Sequence, residues 1–401
     1  MKILLVSSYL PYPLHSGGHI RLYNILKVLS KHHKITLVCE KRVHQTIKDI
    51  EEVEKFCQKV ITIERKRQWS LQNIARSSIS TMPFLVVGHT VPEMKASIVQ
   101  LLTQETFDLI HIETFYVFQN IPKTYLPTVL VEHNIEYLVY KRYLQTLNPL
   151  AKPILLADVL KIKIWEERFW KKATRLVAVS EEEKSIMEKV REDVSVVPNG
   201  VDTKSFTLNP SRFMLKKKEK RVLFIGDFKW IQNRKSVVFI LKEVWPLITM
   251  NYEPKTMNLK LWIVGKHIPE NLKQLGLEDS SIVFDENAPD DTAKIYQKAD
   301  ILLAPIVVGG GTSYKILEAM ASGVPVVTTP RGILGLNAKH KQDALVATTS
   351  SQIAEHVISL IEKPEIAEKI AKNAREFVEK NYNWEKITGE LEGVYKKAIE
   401  E

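Results

Sequence analysis

Glycine, hydroxyl, basic and acidic side chains cluster in one short stretch of the C-terminal third of the sequence. The residues concerned are Gly309, Gly310, Gly311, Thr312, Ser313, Lys315 and Glu318. Glycines leave backbone N–H groups unshielded, and the Thr-Ser pair can cap a helix whose first turn carries the positive end of the peptide dipole. Such a loop binds phosphate readily, and a carboxylate about a turn further along can accept hydrogen bonds from sugar hydroxyls. For the isolated motif, a glycine-rich turn with a solvated glutamate is the alternative.

Apolar runs on both sides give this loop a place in a sheet. The run at 299–305 predicts a buried strand that leads into the loop, and the run at 324–329 predicts a strand that follows it. Open α/β sheets bind ligands at the C-terminal ends of their strands. The loop is therefore expected at a ligand-binding edge.

Short apolar runs alternate with helical patterns along the chain, which predicts an α/β fold of two Rossmann-like, doubly wound domains. A turn signal at 198–202 and a lysine-rich stretch at 209–221 separate the two halves. We expect an N-terminal domain at 1–200, a C-terminal domain at 201–383 and a helix at 384–401 that packs back toward the N-terminal domain. Two such domains create a cleft, where ligands are favoured.

Composition narrows the class of protein and of partner. The chain has 401 residues, a net charge of +10 and two cysteines, Cys39 and Cys57, without metal-type spacing. These features indicate a globular, cytoplasmic protein with no disulfide framework, no zinc site and no cofactor or metal requirement. No apolar run approaches membrane-spanning length. The positive charge suits a nucleotide diphosphate or an anionic membrane surface, and the absence of a recognised nucleic-acid module disfavours DNA and RNA.

The apolar-basic segment 155–175 has two interpretations. It contains Trp165, Phe169 and Trp170 together with several lysines, as membrane-surface helices do. Core packing is the alternative, and Glu166 and Glu167 in the middle of the segment favour it.

Three further positions in the first half can carry chemistry. Gly17 and Gly18 follow the first strand and allow close approach of the backbone to a ligand, which a tight βα turn alone would also require. Arg21, one turn into the next helix, can face either a ligand or solvent. His133 ends a predicted strand, where its ring can contact a sugar hydroxyl, although a lone histidine is often structural.

A series of motifs resembles the retaining family 4 glycosyltransferases of GT-B fold. The string Lys315-Ile-Leu-Glu318-Ala-Met-Ala-Ser-Gly323-Val-Pro-Val-Val-Thr-Thr is similar to the donor-site signature of that family. Weaker motifs agree with it in the expected order, namely Ser16-Gly-Gly-His-Ile-Arg21, Glu132-His-Asn134, Val197-Pro-Asn-Gly-Val-Asp202 and Leu223-Phe-Ile-Gly226. The resemblance covers nearly the whole chain.

The resemblance implies a hexosyltransferase whose C-terminal domain binds a nucleotide-diphosphate sugar and whose N-terminal domain binds a glycan or lipid-linked acceptor, in cell-surface polysaccharide or glycoconjugate synthesis. Donor-binding residues would then be Gly17, Gly18, Lys229, Gly309, Gly310, Gly311, Thr312, Ser313, Lys315 and Glu318. Arg21 and His133 would contact the acceptor, and His133 would also be the catalytic residue. Transfer would proceed with retention and without a metal.

Two departures from the family pattern concern donor recognition. Gly310 stands where many members carry a second glutamate, and this suggests backbone donors in place of a carboxylate. Asp227 and Asn233 stand where arginine and lysine are common. Lys229 or the nearby Arg234 and Lys235 would then supply the contacts to phosphate.

Three other functions compete with sugar transfer. An epimerase of the same fold needs more acid and base groups around the donor sugar, and the sequence has no clear carboxylate constellation there. A catalytically idle nucleotide-sugar-binding protein is kept open by Gly310. A dinucleotide oxidoreductase is weaker, because no GxGxxG motif follows the first strand.

Overall fold

The computed structural model describes residues 1–144, 152–213, 219–252, 258–289, 291–308 and 312–401. These residues form two compact units, residues 1–198 together with 384–401 and residues 199–383. The sequence placed the boundary at residue 200, close to this division. The final helix belongs to the first unit.

Seven parallel strands form the sheet of the first unit, in the order β3-β2-β1-β4-β5-β6-β7. The strands are β1 (Lys2–Ser7), β2 (Lys34–Lys41), β3 (Lys59–Glu64), β4 (Leu109–Glu113), β5 (Thr128–Val131), β6 (Arg175–Ala178) and β7 (Val194–Val196). The order reverses between β1 and β4, and such a reversal opens a crevice at the C-terminal strand ends.

Helices cover the first sheet. They are α1 (Gly17–Leu29), α2 (Ile47–Glu54), α3 (Leu71–Ile79), α4 (Phe84–Gly88), α5 (Pro92–Gln104), α6 (Glu136–Leu144), α7 (Lys152–Lys172) and α8 (Glu181–Met187), with a 3-10 turn at Phe115–Asn120. The core includes Val6 of β1, Ile112 of β4, Leu130 of β5 and Trp170 of α7. The inner strands β1, β2, β4, β5 and β6 are buried on both faces, which explains why they read as continuous apolar runs, whereas the edge strand β3 is only partly buried.

Six parallel strands form the second sheet, in the order β10-β9-β8-β11-β12-β13. Its strands are β8 (Glu219–Ile225), β9 (Asn258–Val264), β10 (Ile282–Asp285), β11 (Ile301–Ala304), β12 (Val326–Thr328) and β13 (Leu345–Val346). The strand order of this sheet reverses between β8 and β11, and such a reversal is called the switch point of the sheet. Sequence patterning predicted β8 to β12, but two residues are too few to show a period and β13 was not predicted.

The helices of the second unit and the last helix of the chain lie close to their predicted positions, except that the short helix α11 was not predicted. They are α9 (Ile231–Phe239), a π-helical turn (Ile240–Val244), α10 (Trp245–Asn251), α11 (Glu270–Gln274), α12 (Thr292–Lys298), α13 (Tyr314–Ala321), α14 (Ser350–Glu362), α15 (Pro364–Asn381) and α16 (Trp384–Glu400), with a 3-10 turn at Pro210–Phe213. The α/β prediction of two doubly wound sheets is confirmed. None of the helices in the described chain is both long and apolar enough to cross a bilayer.

Helix α16 completes the first unit. Its buried side chains recur every three or four residues, at Trp384, Ile387, Leu391, Val394, Tyr395 and Ala398. This amphipathic stripe packs against α1, β4 and β5. A residue near the end of the chain is thereby brought next to the strands at the switch point.

Candidate active site

The turn between β1 and α1 lies beside the switch point of the first sheet. Ser16 caps α1, its Oγ accepting a bond from the backbone N–H of His19 at 3.5 Å. A Cβ atom added to Gly18 would lie 3.0 Å from Tyr9 Oη and 3.5 Å from His133 Nδ1. Glycine at this position therefore lets the helix approach the His133 ring closely. The donor-binding role of Gly17 and Gly18 stays a prediction.

His133 is paired with a buried carboxylate that the sequence did not single out. Its Nε2 hydrogen-bonds Glu113 Oε1 at the end of β4, and the His133 side chain remains 15% exposed while Glu113 is fully buried. Burial by itself would raise the pKa of Glu113. The two histidines beside it, His133 and His111, outweigh burial and hold that pKa below its usual range. His133 thus lies at the predicted edge of the sheet, oriented by an ionised carboxylate.

Two more buried groups extend this pair away from the surface. His111 Nε2 lies 2.5 Å from Glu113 Oε2, and His111 Nδ1 lies 2.5 Å from Tyr395 Oη on α16. His111 and Glu113 are two positions apart on β4, so their side chains share one face of the sheet. Polar residues at this spacing inside an apolar strand were the available sequence signal. The sequence offered no signal that Tyr395 would join them.

The backbone is strained where β4 ends. Thr114, directly after Glu113, has φ 72° and ψ 144°, and its Oγ1 is buried without a hydrogen-bond partner. A β-branched residue in this region costs about 1–3 kcal/mol, and such strain collects at functional sites. This turn gives the end of β4 an unusual local geometry next to Glu113.

The segment around His133 is held in place by two other buried glutamates. Glu132 accepts bonds from Trp170 Nε1 at 3.1 Å and from the N–H of Phe115 at 3.3 Å. Glu166 of α7 caps α6 by accepting bonds from two backbone N–H groups, including that of Glu136 at 2.7 Å. Burial raises the pKa of both Glu132 and Glu166, and it raises the pKa of Glu136 to about 7.

The side chain of Arg21 does not occupy the acceptor-binding position that the sequence predicted for it. Its side chain is fully buried, and its guanidinium donates to the carbonyl oxygens of Pro198 at 2.7 Å and Val197 at 2.9 Å. A guanidinium enclosed in this way is not presented to an acceptor. Arg21 instead anchors the chain at the end of β7, because backbone carbonyls there would otherwise lack donors.

The glycine loop of the second unit falls partly outside the described residues. This applies to Gly309, Gly310 and Gly311, so their donor-binding role stays a prediction. Helix α13 begins directly after Ser313, but the Ser313 side chain makes no capping bond, contrary to expectation. Thr312 Oγ1 is buried without a hydrogen-bond partner. An unpartnered hydroxyl at this helix N-terminus is available to a ligand oxygen.

Lys315 reaches across the switch point of the second sheet. Its Nζ donates to Asn233 Oδ1 at 2.7 Å and lies 4.3 Å from the centroid of the Phe224 ring. Asn233 in turn donates to the carbonyl of Asp227 at 2.8 Å, which ties α9 to the segment after β8. Burial lowers the pKa of Lys315 to about 7. An ammonium group from α13 therefore occupies the neighbourhood of Asn233, where the sequence pattern lacked its usual lysine.

Glu318 lies one turn after Lys315 on the same helix. Burial raises its pKa to about 7, although Tyr296 and Lys315 favour its ionised form. Donors from a ligand would favour the carboxylate, which is the form that accepts bonds from sugar hydroxyls. The structure thus brings Thr312, Lys315 and Glu318 together on one helix end and turn.

Lys229 is not part of this group. Its side chain is exposed, and its backbone N–H donates to Asp227 Oδ1 at 2.9 Å. Arg234 donates to the carbonyl oxygen of Phe228 at 3.0 Å. Lys315, rather than Lys229, is the cation that contacts Asn233, and a donor-binding role for Lys229 stays a prediction.

Family comparisons agree with the order of these elements. Residues 15–205 match the family described as Glycosyltransferase Family 4, and residues 219–363 match the family described as Glycosyl transferases group 1. An uncharacterized 44.6 kDa protein in the cps region of Klebsiella pneumoniae is 23% identical over 96% of this chain and 97% of its own length.

Solved structures with the same fold span the whole chain. Sucrose-phosphate synthase from Thermosynechococcus elongatus has a TM-score of 0.72 at 16% identity and covers 99% of both chains. The Anabaena protein HepE, solved in complex with UDP and glucose, has a TM-score of 0.65 at 16% identity and covers 99% of this chain and 100% of its own. These similarities identify the fold of both units as GT-B. With two matching domains in the family order, the chain belongs to the group 1, family 4 glycosyltransferases.

Proposed function

We propose that this protein is a retaining, metal-independent glycosyltransferase that moves a hexosyl group from a nucleotide-diphosphate sugar to a glycan or lipid-linked acceptor. The observation that carries this proposal is the arrangement of Thr312, Lys315 and Glu318 at the switch point of the second sheet. A cation, an unpartnered hydroxyl and the N-terminus of α13 converge there, beside a carboxylate suited to ribose hydroxyls.

The chemistry follows from where negative charge develops. As the bond between sugar and phosphate breaks, charge collects on the leaving diphosphate. The end of α13 and the Lys315 ammonium are positioned to stabilise that charge. A bound diphosphate favours the protonated form of Lys315, whose pKa burial lowers to about 7 in the empty site. The acceptor hydroxyl attacks from the side that the diphosphate leaves, and the departing phosphate oxygen takes its proton.

Relatives support the donor class and the setting. The HepE structure contains UDP and glucose, and the Klebsiella relative is named for the cps region. Among the described residues, no group of three side chains is arranged to hold a metal ion. We therefore extend to this chain a nucleotide-sugar donor and a role in cell-surface polysaccharide or glycoconjugate synthesis.

A panel of nucleotide sugars tests the proposal. With the right donor, we expect slow release of nucleotide diphosphate that speeds up when a glycan or lipid-linked acceptor is added, and a product that keeps the anomeric configuration by NMR. Lys315→Met should weaken donor binding, whereas Lys229→Met, a change of the same charge at an exposed site, should weaken it less. An altered sugar still attached to its nucleotide would indicate epimerisation, and binding without turnover would indicate an idle protein.

We also propose that the protein docks on an anionic membrane through an apolar face formed by α3 and α7. Lys161 of α7 donates to the carbonyl oxygens of Ser77 and Ser80 at 2.7 and 2.8 Å, which ties the C-terminal end of α3 to α7. Trp69, Leu71 and Ile79 are 75%, 87% and 88% exposed. On α7 an exposed stripe recurs every four residues, at Leu156, Leu160 and Ile164.

The basic residues around the apolar face favour a lipid surface, rather than a second copy of the chain, as the partner that covers it. Exposed basic residues flank the apolar face, at Arg67, Arg76, Lys163, Arg168 and Lys171. A two-fold dimer through this face would bring these like charges together, whereas anionic headgroups attract them. The inner half of α7 packs in the core through Ile162 and Trp170, so both interpretations of segment 155–175 have support, each on one side of the helix. Cys39 and Cys57 are buried free thiols, which suits the cytoplasmic side of the membrane.

Vesicle sedimentation tests the docking surface. The wild-type protein should bind vesicles of phosphatidylglycerol and phosphatidylcholine at low salt and be released by added salt, since Debye screening weakens the attraction. The double variant Leu160→Glu, Ile164→Glu should lose binding. The control Leu277→Glu changes an even more exposed leucine in the second unit and should bind normally. Unchanged sedimentation of the double variant, or a concentration-dependent dimer that it abolishes, would remove the membrane from the proposal.

A further inference from the structure

Four side chains form a continuous hydrogen-bonded chain through the first unit, which we call the relay. It runs from Tyr395 of α16 through His111 and Glu113 of β4 to His133 after β5. Tyr395, His111 and Glu113 are fully buried, whereas His133 is partly exposed at the switch-point edge. The relay therefore connects the end of the polypeptide to the candidate catalytic histidine.

The position of nearly every proton in the relay follows from the donor and acceptor chemistry. Glu113 is ionised, because its pKa is held low, and an ionised carboxylate can only accept hydrogen bonds. Each of its oxygens faces the Nε2 of one histidine, so both Nε2 atoms carry a proton. Burial raises the pKa of Tyr395, so its hydroxyl keeps its proton and donates to His111 Nδ1. With Tyr395 on Nδ1 and Glu113 on Nε2, both ring nitrogens of His111 are occupied.

Only one nitrogen in the relay is left to act on a ligand, namely Nδ1 of His133. This atom faces Gly18, where an added Cβ would lie 3.5 Å away. Glycine at that position keeps the approach to Nδ1 open.

We propose, building on the transferase function above, that Glu113, His111 and Tyr395 are positioning residues that fix His133 in the Nε2–H tautomer. His133 then accepts, through Nδ1, a hydrogen bond from an acceptor hydroxyl beside the attacking one. This contact orients the acceptor for attack, while the proton of the attacking hydroxyl goes to the departing phosphate oxygen and the proton of His133 stays on Nε2 with Glu113. This differs from a histidine that donates a bond to the sugar.

Other charged groups around His133 do not reverse this assignment. Tyr9 contacts the ring edge-on, with ring centroids 6.4 Å apart. Burial, followed by the charge of Arg42, lowers the pKa of His19 to about 4, so His19 is uncharged at neutral pH. At the far end of the relay the charges of Arg21 and Glu392 act on Tyr395. Glu113 is the charged group that hydrogen-bonds His133 directly.

Glu113→Gln is the decisive variant. A glutamine side chain offers one acceptor oxygen and one donor nitrogen, so only one histidine can donate to it. Tyr395 holds His111 as an Nε2–H donor, and the amide N–H must then donate to His133 Nε2. His133 should therefore move its proton to Nδ1. A nitrogen-15 spectrum of histidine-labelled protein reads this change directly, as a protonated instead of an unprotonated Nδ1.

Kinetics give an independent readout. An inverted tautomer should lower kcat by about 10- to 100-fold, because the acceptor loses its orienting contact, and leave the donor KM unchanged. Adding His133→Ala to the Glu113→Gln variant should cost little more, because both changes remove the same interaction. The matched control is Glu40→Gln, another buried carboxylate, whose Oε1 lies 2.9 Å from His89 Nδ1 outside the relay. It should leave kcat and the His133 spectrum unchanged.

A second variant guards against loss of folding. Tyr395→Phe removes only the hydroxyl that fixes His111, and it should lower kcat about tenfold while the His133 spectrum shows mixed tautomers. An Nδ1–H signal from His133 in the wild-type protein would overturn the proposal, and so would unchanged kcat in both variants. If no sugar transfer occurs at all, the proposed function fails, yet the wild-type and variant spectra still decide the tautomer.

Discussion

Glu318→Gln should stabilise the folded protein in a manner that depends on pH. The pKa of Glu318 is raised from 4.5 to about 7 by burial. Between these values the folded protein keeps a proton that the unfolded chain has lost, so stability falls as pH rises. At about 1.4 kcal/mol per pH unit, the wild-type protein loses about 1 kcal/mol from this group at pH 5 and about 3 kcal/mol at pH 7. Glutamine does not ionise and removes this loss.

Urea unfolding at pH 5, 6 and 7 measures the effect. The free energy of unfolding of the variant minus that of the wild type should rise by about 2 kcal/mol across this range. Lys315, whose pKa is lowered to about 7, acts with the opposite sign and mainly above pH 7, so the range stays below it. Glu400→Gln at the exposed end of α16 makes the same charge change and serves as the control. If this difference in the free energy of unfolding were constant from pH 5 to 7, burial would not raise the pKa of Glu318, and the reasoning would be refuted.

Two further substitutions separate structural from functional roles in the first unit. Arg21→Met should lower the free energy of unfolding by about 3 kcal/mol, because the buried carbonyl groups of Val197 and Pro198 lose charge-assisted donors. If this variant instead bound the acceptor more weakly at unchanged stability, Arg21 would have the acceptor-binding role after all. Gly18→Ala places a methyl group 3.5 Å from His133 Nδ1, so turnover should fall about tenfold or more with little change in the urea midpoint. Full activity of that alanine variant would show that no substrate atom needs the space.

Local patterns predicted the elements best where burial is periodic. Strands such as β1, β4, β5 and β11 are buried runs with clear ends, and α16 has a stripe of buried residues every three or four positions. Helix α3 was not predicted, since Ser77 is its one buried residue and its apolar side chains face outward. A helix is recognised in a sequence when its apolar residues face the core. In α3 the apolar residues face solvent, so the sequence carries no such signal.

Pattern reasoning also found part of the candidate site. It placed His133 at a strand end and Lys315 and Glu318 on the helix after a glycine loop, and the structure has them there. It placed Arg21 in the first turn of a helix, facing either a ligand or solvent, and the family resemblance assigned it to the acceptor. It could not see that the guanidinium turns inward to carbonyls 176 and 177 positions away. A side chain's direction at the start of a helix depends on what packs against that helix.

The sequence by itself determined two parallel α/β sheets and a histidine at the edge of the first sheet, and it predicted that one helix end of the second binds phosphate. These follow from short-range spacing, which sets which face of an element is buried and where it ends. Only the tertiary structure joined Lys315 to Asn233, 82 positions apart, and Tyr395 to His111, 284 positions apart. Strand order and the return of α16 decide which buried polar groups meet. Because a buried polar group must find a partner, those meetings decide which side chains hold the histidine that the sequence could only point to.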